Sequence, residues 1–249
     1  MRPPGRIAAP ARAKAAGPRE TVLPWRGDDL LLRCHATPTD TDAGPLPRLR
    51  AFRAEMLYAA GQRPAFRDPD GSFVDPQPLD FGAWHFTAHR DPAAPPAGYI
   101  RLAPPALSDH FQSRALIGPD QFAALLPALG VPGSATFEHS RLVVAEHARG
   151  VGLGALMNAC AVAAARILGA VAMVGTVGFD GGHVTLQQRF GFSVCPGTER
   201  YSPLYRDHVC VVAQRTASAA EHPAPYEPLV DLVRQHLARA LPDQGESAT

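Results

Sequence analysis

The chain lacks a strong charge of either sign. Its 249 residues carry 24 Lys and Arg against 23 Asp and Glu, a formal net charge of +1. No broad field therefore points to a nucleic acid or an anionic membrane as partner. A cysteine motif is missing too. Cys34, Cys160, Cys195 and Cys210 are scattered without any CxxC spacing, so buried free thiols are expected rather than a disulfide framework or a zinc site. No apolar run reaches the ~20 residues that span a bilayer. The basic N-terminus is broken by Pro3, Pro4, Gly5 and Pro10 and has no apolar stretch behind it, so it does not read as a secretory signal. These absences leave a cytoplasmic globular protein as the expectation. With 46% hydrophobic residues the chain can bury a sizeable core in one or two domains.

What is present is a mixed α/β pattern. Residues 1–27, rich in Ala, Pro and Arg, read as a mobile basic arm. Leu30–Cys34 reads as a strand, and PLPRLRAFRAEMLYAAG as a helix with Leu49, Phe52, Met56 and Leu57 on its apolar positions, ended by Gly61. AWHFTAH and AGYIRLA read as two strands, PDQFAALLPALG as a short helix, and ATFEHSRLVVA as a longer strand. A helix (GALMNACAVAAARILGA), a strand (VAMVGTVG), a short helix (HVTLQQRFG) and two more strands (FSVCP, HVCVVAQRT) follow. After a linker from residue 217, PLVDLVRQHLARAL gives an amphipathic helix that covers the domain or makes dimer contacts, then a disordered end. The expected domain is 28–216.

The stretch Glu146–Ala155, EHARGVGLGA, carries the clearest chemical signal. Its glycines formally satisfy a G-x-G-x-x-A dinucleotide fingerprint. Four residues separate them from the strand, however, and Asp180 arrives too late to hold a ribose. No Gly-Lys-Ser/Thr follows, which excludes a Walker-type loop. The pattern R-x-x-G-x-G suits a different anion. Backbone amides at a helix N-terminus make a nest, the glycines keep Cβ atoms away, and Arg149 adds charge. A pyrophosphate–pantetheine ligand fits best, with residues Arg149, Gly150, Val151, Gly152, Leu153 and Gly154 as its grip. The bland alternative is a glycine turn that merely starts a helix.

RLVVAEHARGVGLGALM, followed by LQQRFGFSV, resembles the GCN5-related N-acetyltransferase superfamily over Ser134 to about Arg215. Upstream, FEHSRLVV is similar to the E-x-S-R stretch of acyl-homoserine-lactone synthases and N-acyl amino acid synthases, matching Glu138, Ser140 and Arg141. GYIRLAP places Arg101, PLDFGAWHF places Asp80, and RAEML places Arg53 in matching slots. Gln77 stands where the lactone synthases tend to have a second Asp, and Leu57 where they have an aromatic. Both departures weigh against a reaction using S-adenosylmethionine. The resemblance implies a central twisted mixed sheet flanked by helices, with a splayed strand pair at the acyl-donor groove. It further implies an N-acyltransferase taking a medium or long acyl group from acyl-coenzyme A or acyl-carrier protein to a small-molecule amine, an amino acid among the candidates. The alternatives are a lactone-forming signal synthase and a non-catalytic acyl-coenzyme A-binding module. No permanent cofactor is expected, and none of the His residues, His85 and His89 included, has the companions a metal needs.

Within that reading, amides near Val143 and Val144 hold the thioester carbonyl as it becomes an oxyanion. Glu138 is the candidate base and Tyr205, with Tyr201 as the alternative, the candidate acid. Arg53, Asp80, Arg101 and Arg141 are the candidate acceptor-binding residues. Charged residues on apolar strands also have a structural reading, an internal network of ion pairs. Residues three apart on a strand point to opposite faces, so Glu138 and Arg141 share a face only if the strand bulges.

Overall fold

In a computed structural model of the chain, residues 18–37, 44–61, 63–130, 135–179, 182–203, 205–216 and 224–241 are described. The helices are α1 (Leu46–Ala59), α2 (Gln112–Ile117), α3 (Pro119–Ala128), α4 (Leu153–Ile167), α5 (His183–Arg189) and α6 (Glu227–Leu237). The strands are β1 (Arg19–Trp25), β2 (Asp28–Ala36), β3 (Trp84–His89), β4 (Gly98–Ala103), β5 (Thr136–Val144), β6 (Ala172–Gly178), β7 (Ser193–Val194), β8 (Arg200–Ser202) and β9 (Asp207–Arg215). They form one sheet in the order β1-β2-β3-β4-β5-β6-β9-β7, with β8 also on β9. Every pairing is antiparallel except β5 with β6.

Helices cover both faces. On one, α4 buries eleven residues, five of them the alanines at 159, 161, 163, 164 and 165, in a cluster with Phe86, Ile100, Leu102 and Phe137. These small side chains let the helix lie close to the strands. α6 packs on the outside of α4 through Val230, Val233 and Leu237. On the other face, α1 packs Leu49 and Phe52 on Tyr99 and Val143. α2 and α3 pack Ile117 and Phe122 on Val174 and Val211, beside Phe111. Phe111 and Phe122 meet edge to face at 6.1 Å between centroids.

Two sequence expectations need correcting here. The arm drawn over 1–27 is too long, because Arg19–Trp25 is β1, paired residue for residue with β2. Its inward face buries only Leu23 completely, and its turn is Arg26-Gly27, both at positive φ (52° and 90°). That two-residue hairpin turn normally advertises itself with Asn or Asp in the first place. β8 and α2 were likewise missed, being three and six residues long. The basic residues Arg2, Arg6, Arg12 and Lys14, the linker 217–223 and the end 242–249 lie outside the described residues. Among those described, no helix is long and apolar enough to cross a membrane, and the four cysteines are buried and free.

Candidate active site

β5 and β6 pair only from Thr136↔Ala172 to His139↔Gly175. Beyond that rung the strands separate, and the edges of Ser140–Val144 and Thr176–Gly178 face one another unpaired. His139 closes the inner end of the gap. Its ring lies on Gly175, where a Cβ would come within 2.3 Å of Nε2, so no larger residue fits at 175. The ring also packs on Phe192, the aromatic of the Gly-Phe step, at 4.8 Å. Burial holds its pKa near 4. His139 thus packs on the face of β5 away from Glu138, whose carboxylate meets α2.

The bulge required of β5 is present. Tyr99↔Val143 and Arg101↔Ser140 leave one residue extra on β5, and Arg141 sits there at φ 60°. It is one of three non-glycine residues at positive φ among the described residues. The bulge turns Arg141 onto the face that carries Glu138 and Arg101. Its Nε donates to Asp75 Oδ2 at 3.0 Å, and its Nη1 lies 3.3 Å from the Tyr205 hydroxyl and 3.4 Å from Gln112 Oε1.

Behind Arg141 lies a dense ion-pair network. Asp80 accepts from Arg50 Nε at 2.8 Å, from Arg53 at 2.7 and 2.9 Å, and from Arg101 Nη1 at 2.6 Å. Asp75 accepts from Arg53 Nε at 2.7 Å. Tyr99 joins through its hydroxyl, 3.0 Å from Arg53 and 2.7 Å from His85 Nδ1. Arg53, Asp80 and Arg101 are 0% exposed. Burial alone would raise the Asp80 carboxyl, but the bonds and charges of Arg53, Arg101 and Arg50 hold it far below the usual carboxylate range. The buried His85 has its pKa lowered to about 3.

Glu138 is also 0% exposed. Its oxygens accept the backbone amides of Gln112 at 2.9 Å and Ser113 at 2.8 Å, and the Ser113 hydroxyl at 2.6 Å. It thus serves as the anion at the N-terminus of α2. Burial pushes its pKa up, partly offset by those Ser113 and Gln112 bonds. Tyr205, on the bend between β8 and β9, is half-buried, and the Arg63 guanidinium lies over its ring at 3.5 Å.

At the outer end of the gap, Ala145 N donates to Ala97 O. That bond sets the alternation of β5: Val143 turns its amide to β4, and Val144 turns its own to the open gap. Of the two expected carbonyl-binding amides, Val144 is the one so placed. Arg149 is exposed and reaches back to the Val144 carbonyl at 3.3 Å. Gly150 and Gly152 both take φ 78°, and Gly152 is the N-cap of α4. The amides of residues 150–154 find no backbone acceptor among the described residues. Residues 145–148 thus join Val144, at the outer end of the gap, to the loop that starts α4.

The structure thus brings Arg141 and Tyr205 together beside the gap, with Val144 and the 149–154 loop at its outer end. It sets Arg53, Asp80, Arg101 and Glu138 behind them in closed packing. Asp75, Arg50, Arg63, Gln112 and Ser113 were missed in the sequence. Asp75 was the most legible, an acid two residues before Gln77. The leucines of α3 belong to the packed α2–α3 cluster. A cleft of about 790 Å³ lies elsewhere, between α1 and β1–β3, lined by Arg33, His35, Arg48, Phe52 and His89. A smaller hollow of about 470 Å³ opens at Arg50, Gln77, Phe81 and His110, on the rim of the ion-pair network.

No protein-family model matches the chain, and no curated protein matches it in sequence. Its architecture does have solved counterparts. TofI, in a ternary complex with an inhibitor and MTA, superposes with a TM-score of 0.54 at 19% identity, over 82% of this chain and 98% of its own. The chain shares its fold with that structure. BjaI with MTA, described as a CoA-dependent acyl-homoserine lactone synthase, gives 0.54 at 15% identity over 87% and 88%. FeeM, an N-acyl amino acid synthase from uncultured soil microbes, gives 0.51 at 13% identity over 86% and 98%. The mixed sheet with its splayed strand pair, expected from the sequence, is thereby borne out.

Proposed function

We propose that the protein is an N-acyltransferase that moves a medium or long acyl group from a pantetheine thioester to a small-molecule amine. The observation that carries this reading is the gap between β5 and β6, which opens onto the unpartnered amides of the glycine loop. A pantetheine arm laid in the gap puts its phosphate end at Arg149 and residues 150–154 and its thioester toward His139. The Val144 amide then supports the carbonyl oxygen as it gains charge. The neutral amine attacks and forms the C–N bond, the C–S bond breaks, the thiolate takes a proton, and the proton shed by the amine nitrogen passes to water. Tyr205 is the proposed donor of that proton.

Arg141 is the proposed ligand of a carboxylate on the acceptor, which suits an amino acid. Its Nε is paired with Asp75, but its Nη1 contacts to Tyr205 and Gln112 are long, whereas Arg53 meets both Asp75 and Asp80 and Arg101 meets Asp80 and Ser140. Their proposed part is to hold the wall on which Arg141 stands. The burial of Glu138 favours the same kind of role, positioning α2, over direct contact with the amine.

The lactone-synthase reading needs a cationic sulfonium acceptor. Asp75 and Asp80 are both already bound to guanidinium groups, which disfavours it. Purified protein mixed with acyl-coenzyme A thioesters of several lengths and a panel of amines tests the proposal. Amine-dependent thiol release with amino acids supports it. Release only with S-adenosylmethionine supports the lactone synthase, and donor binding without release in any mixture supports a binding module.

A further inference from the structure

The β1–β2 turn lies against the glycine loop. A Cβ at Gly152 would sit 3.1 Å from Arg26 Nη2 and 3.4 Å from the Trp25 ring. Arg26 is exposed, at φ 52°, and stacks loosely on its own neighbour Trp25 at 5.7 Å. No carboxylate pairs with it among the described residues. Trp25 Nε1, at the end of β1 beside this turn, is buried and has no hydrogen-bond partner among those residues. The hairpin thus delivers a guanidinium to one side of a loop whose own amides are unpartnered, and Arg149 stands within the loop itself. Two guanidinium groups and a row of amides suit two neighbouring phosphates better than one.

The surrounding surface sharpens the choice of donor. Asp28, Asp29 and Glu146 are exposed beside Arg26, Arg149 and His147, and Asp28 lies 3.8 Å from Arg90. The charges are mixed, and an acidic carrier protein would need a basic patch around the point where its single phosphodiester enters.

Building on the reading of the loop as the donor site, we propose that Arg26 is a second phosphate-binding residue there. It contacts the diphosphate of coenzyme A from the β1–β2 turn, and the donor is a coenzyme A thioester rather than an acylated carrier protein. Trp25 and Trp84 are the two tryptophans of the chain, so a Trp84→Phe variant makes Trp25 a reporter at this site. The expected result is a change in Trp25 emission on adding free coenzyme A. In calorimetry on the otherwise native chain, Arg26→Gln is expected to raise the Kd for coenzyme A by about tenfold, as for the loss of one charge-assisted contact. The Kd for phosphopantetheine, with its single phosphate, should stay within about twofold of the native value. Tight coenzyme A binding that leaves Trp25 emission and the Arg26→Gln Kd unchanged overturns the inference while the donor site stands. Equal losses for both ligands overturn the second-phosphate assignment. Failure of coenzyme A to bind the native chain at all removes the donor site and the inference with it.

Discussion

Asp80 accepts from three guanidinium groups at a position with no exposed surface, and that fact governs what its neighbours can do. A buried ion is tolerable only while its partners stay in place. Asp80→Asn leaves Arg50, Arg53 and Arg101 short of an anion, and chemical denaturation should show a loss of about 3–5 kcal/mol. Glu138→Gln removes the anion at the start of α2, and the melting temperature should fall together with kcat. Loss of kcat at an unchanged melting temperature would instead restore the residue to the role of base. Tyr205→Phe should lower kcat while stability and donor KM stay close to native; equal losses in stability would place it with the structural residues. His85 and His139 have pKa values near 3 and 4 in the fold, against about 6.5 when unfolded. Between those limits the unfolded chain binds protons that the folded one refuses, so stability falls as pH drops from about 6.5 toward 4. Each histidine contributes up to about 1.4 kcal/mol per pH unit. His139→Gln should flatten that slope in urea titrations from pH 7 to 4, and an unchanged slope would contradict its burial as a neutral ring.

At the scale of elements, long periodic segments were readable and short ones were not. α1, α3, α4, α5, α6 and the strands from β3 to β6 fall where apolar spacing and glycine stops place them. β1 was lost because only Leu23 is fully buried and because Arg26 is an unusual first residue for its turn. The bulge at Arg141 had no local signal, since it is a matter of register with β4; the sequence supplied only the condition for it. Arg53, Asp80, Arg101 and Arg141 were legible as a set, but their partners were not. Asp75 meets Arg53 and Arg141, and Ser113 meets Glu138, only through tertiary packing, across 22 to 66 residues. α6 makes a separate test possible. Val233 is 0% exposed against α4, and Val233→Asp buries a charge without a partner, so a thermal melt should show at least about 3 kcal/mol lost.

For the molecule as a whole, one side of the sheet is closely packed core, and one seam is the proposed place of the chemistry. The α4 face is alanine-rich and tightly packed. The α1–α2 face carries a buried salt network that holds Arg141, Gln112 and Tyr205 against the opening between β5 and β6. The glycine loop ends that opening and starts α4, so the proposed donor site and the core share one helix. The central claim is that a thioester lies in this seam and gives its acyl group to an amine. Thiol release from acyl-coenzyme A in the presence of amino acids, compared between the native chain and Arg149→Ala, tests it most directly. The account predicts amine-dependent release by the native chain and a donor KM raised about tenfold or more in the variant. Release without any dependence on Arg149, or no release with any donor and amine, would contradict it.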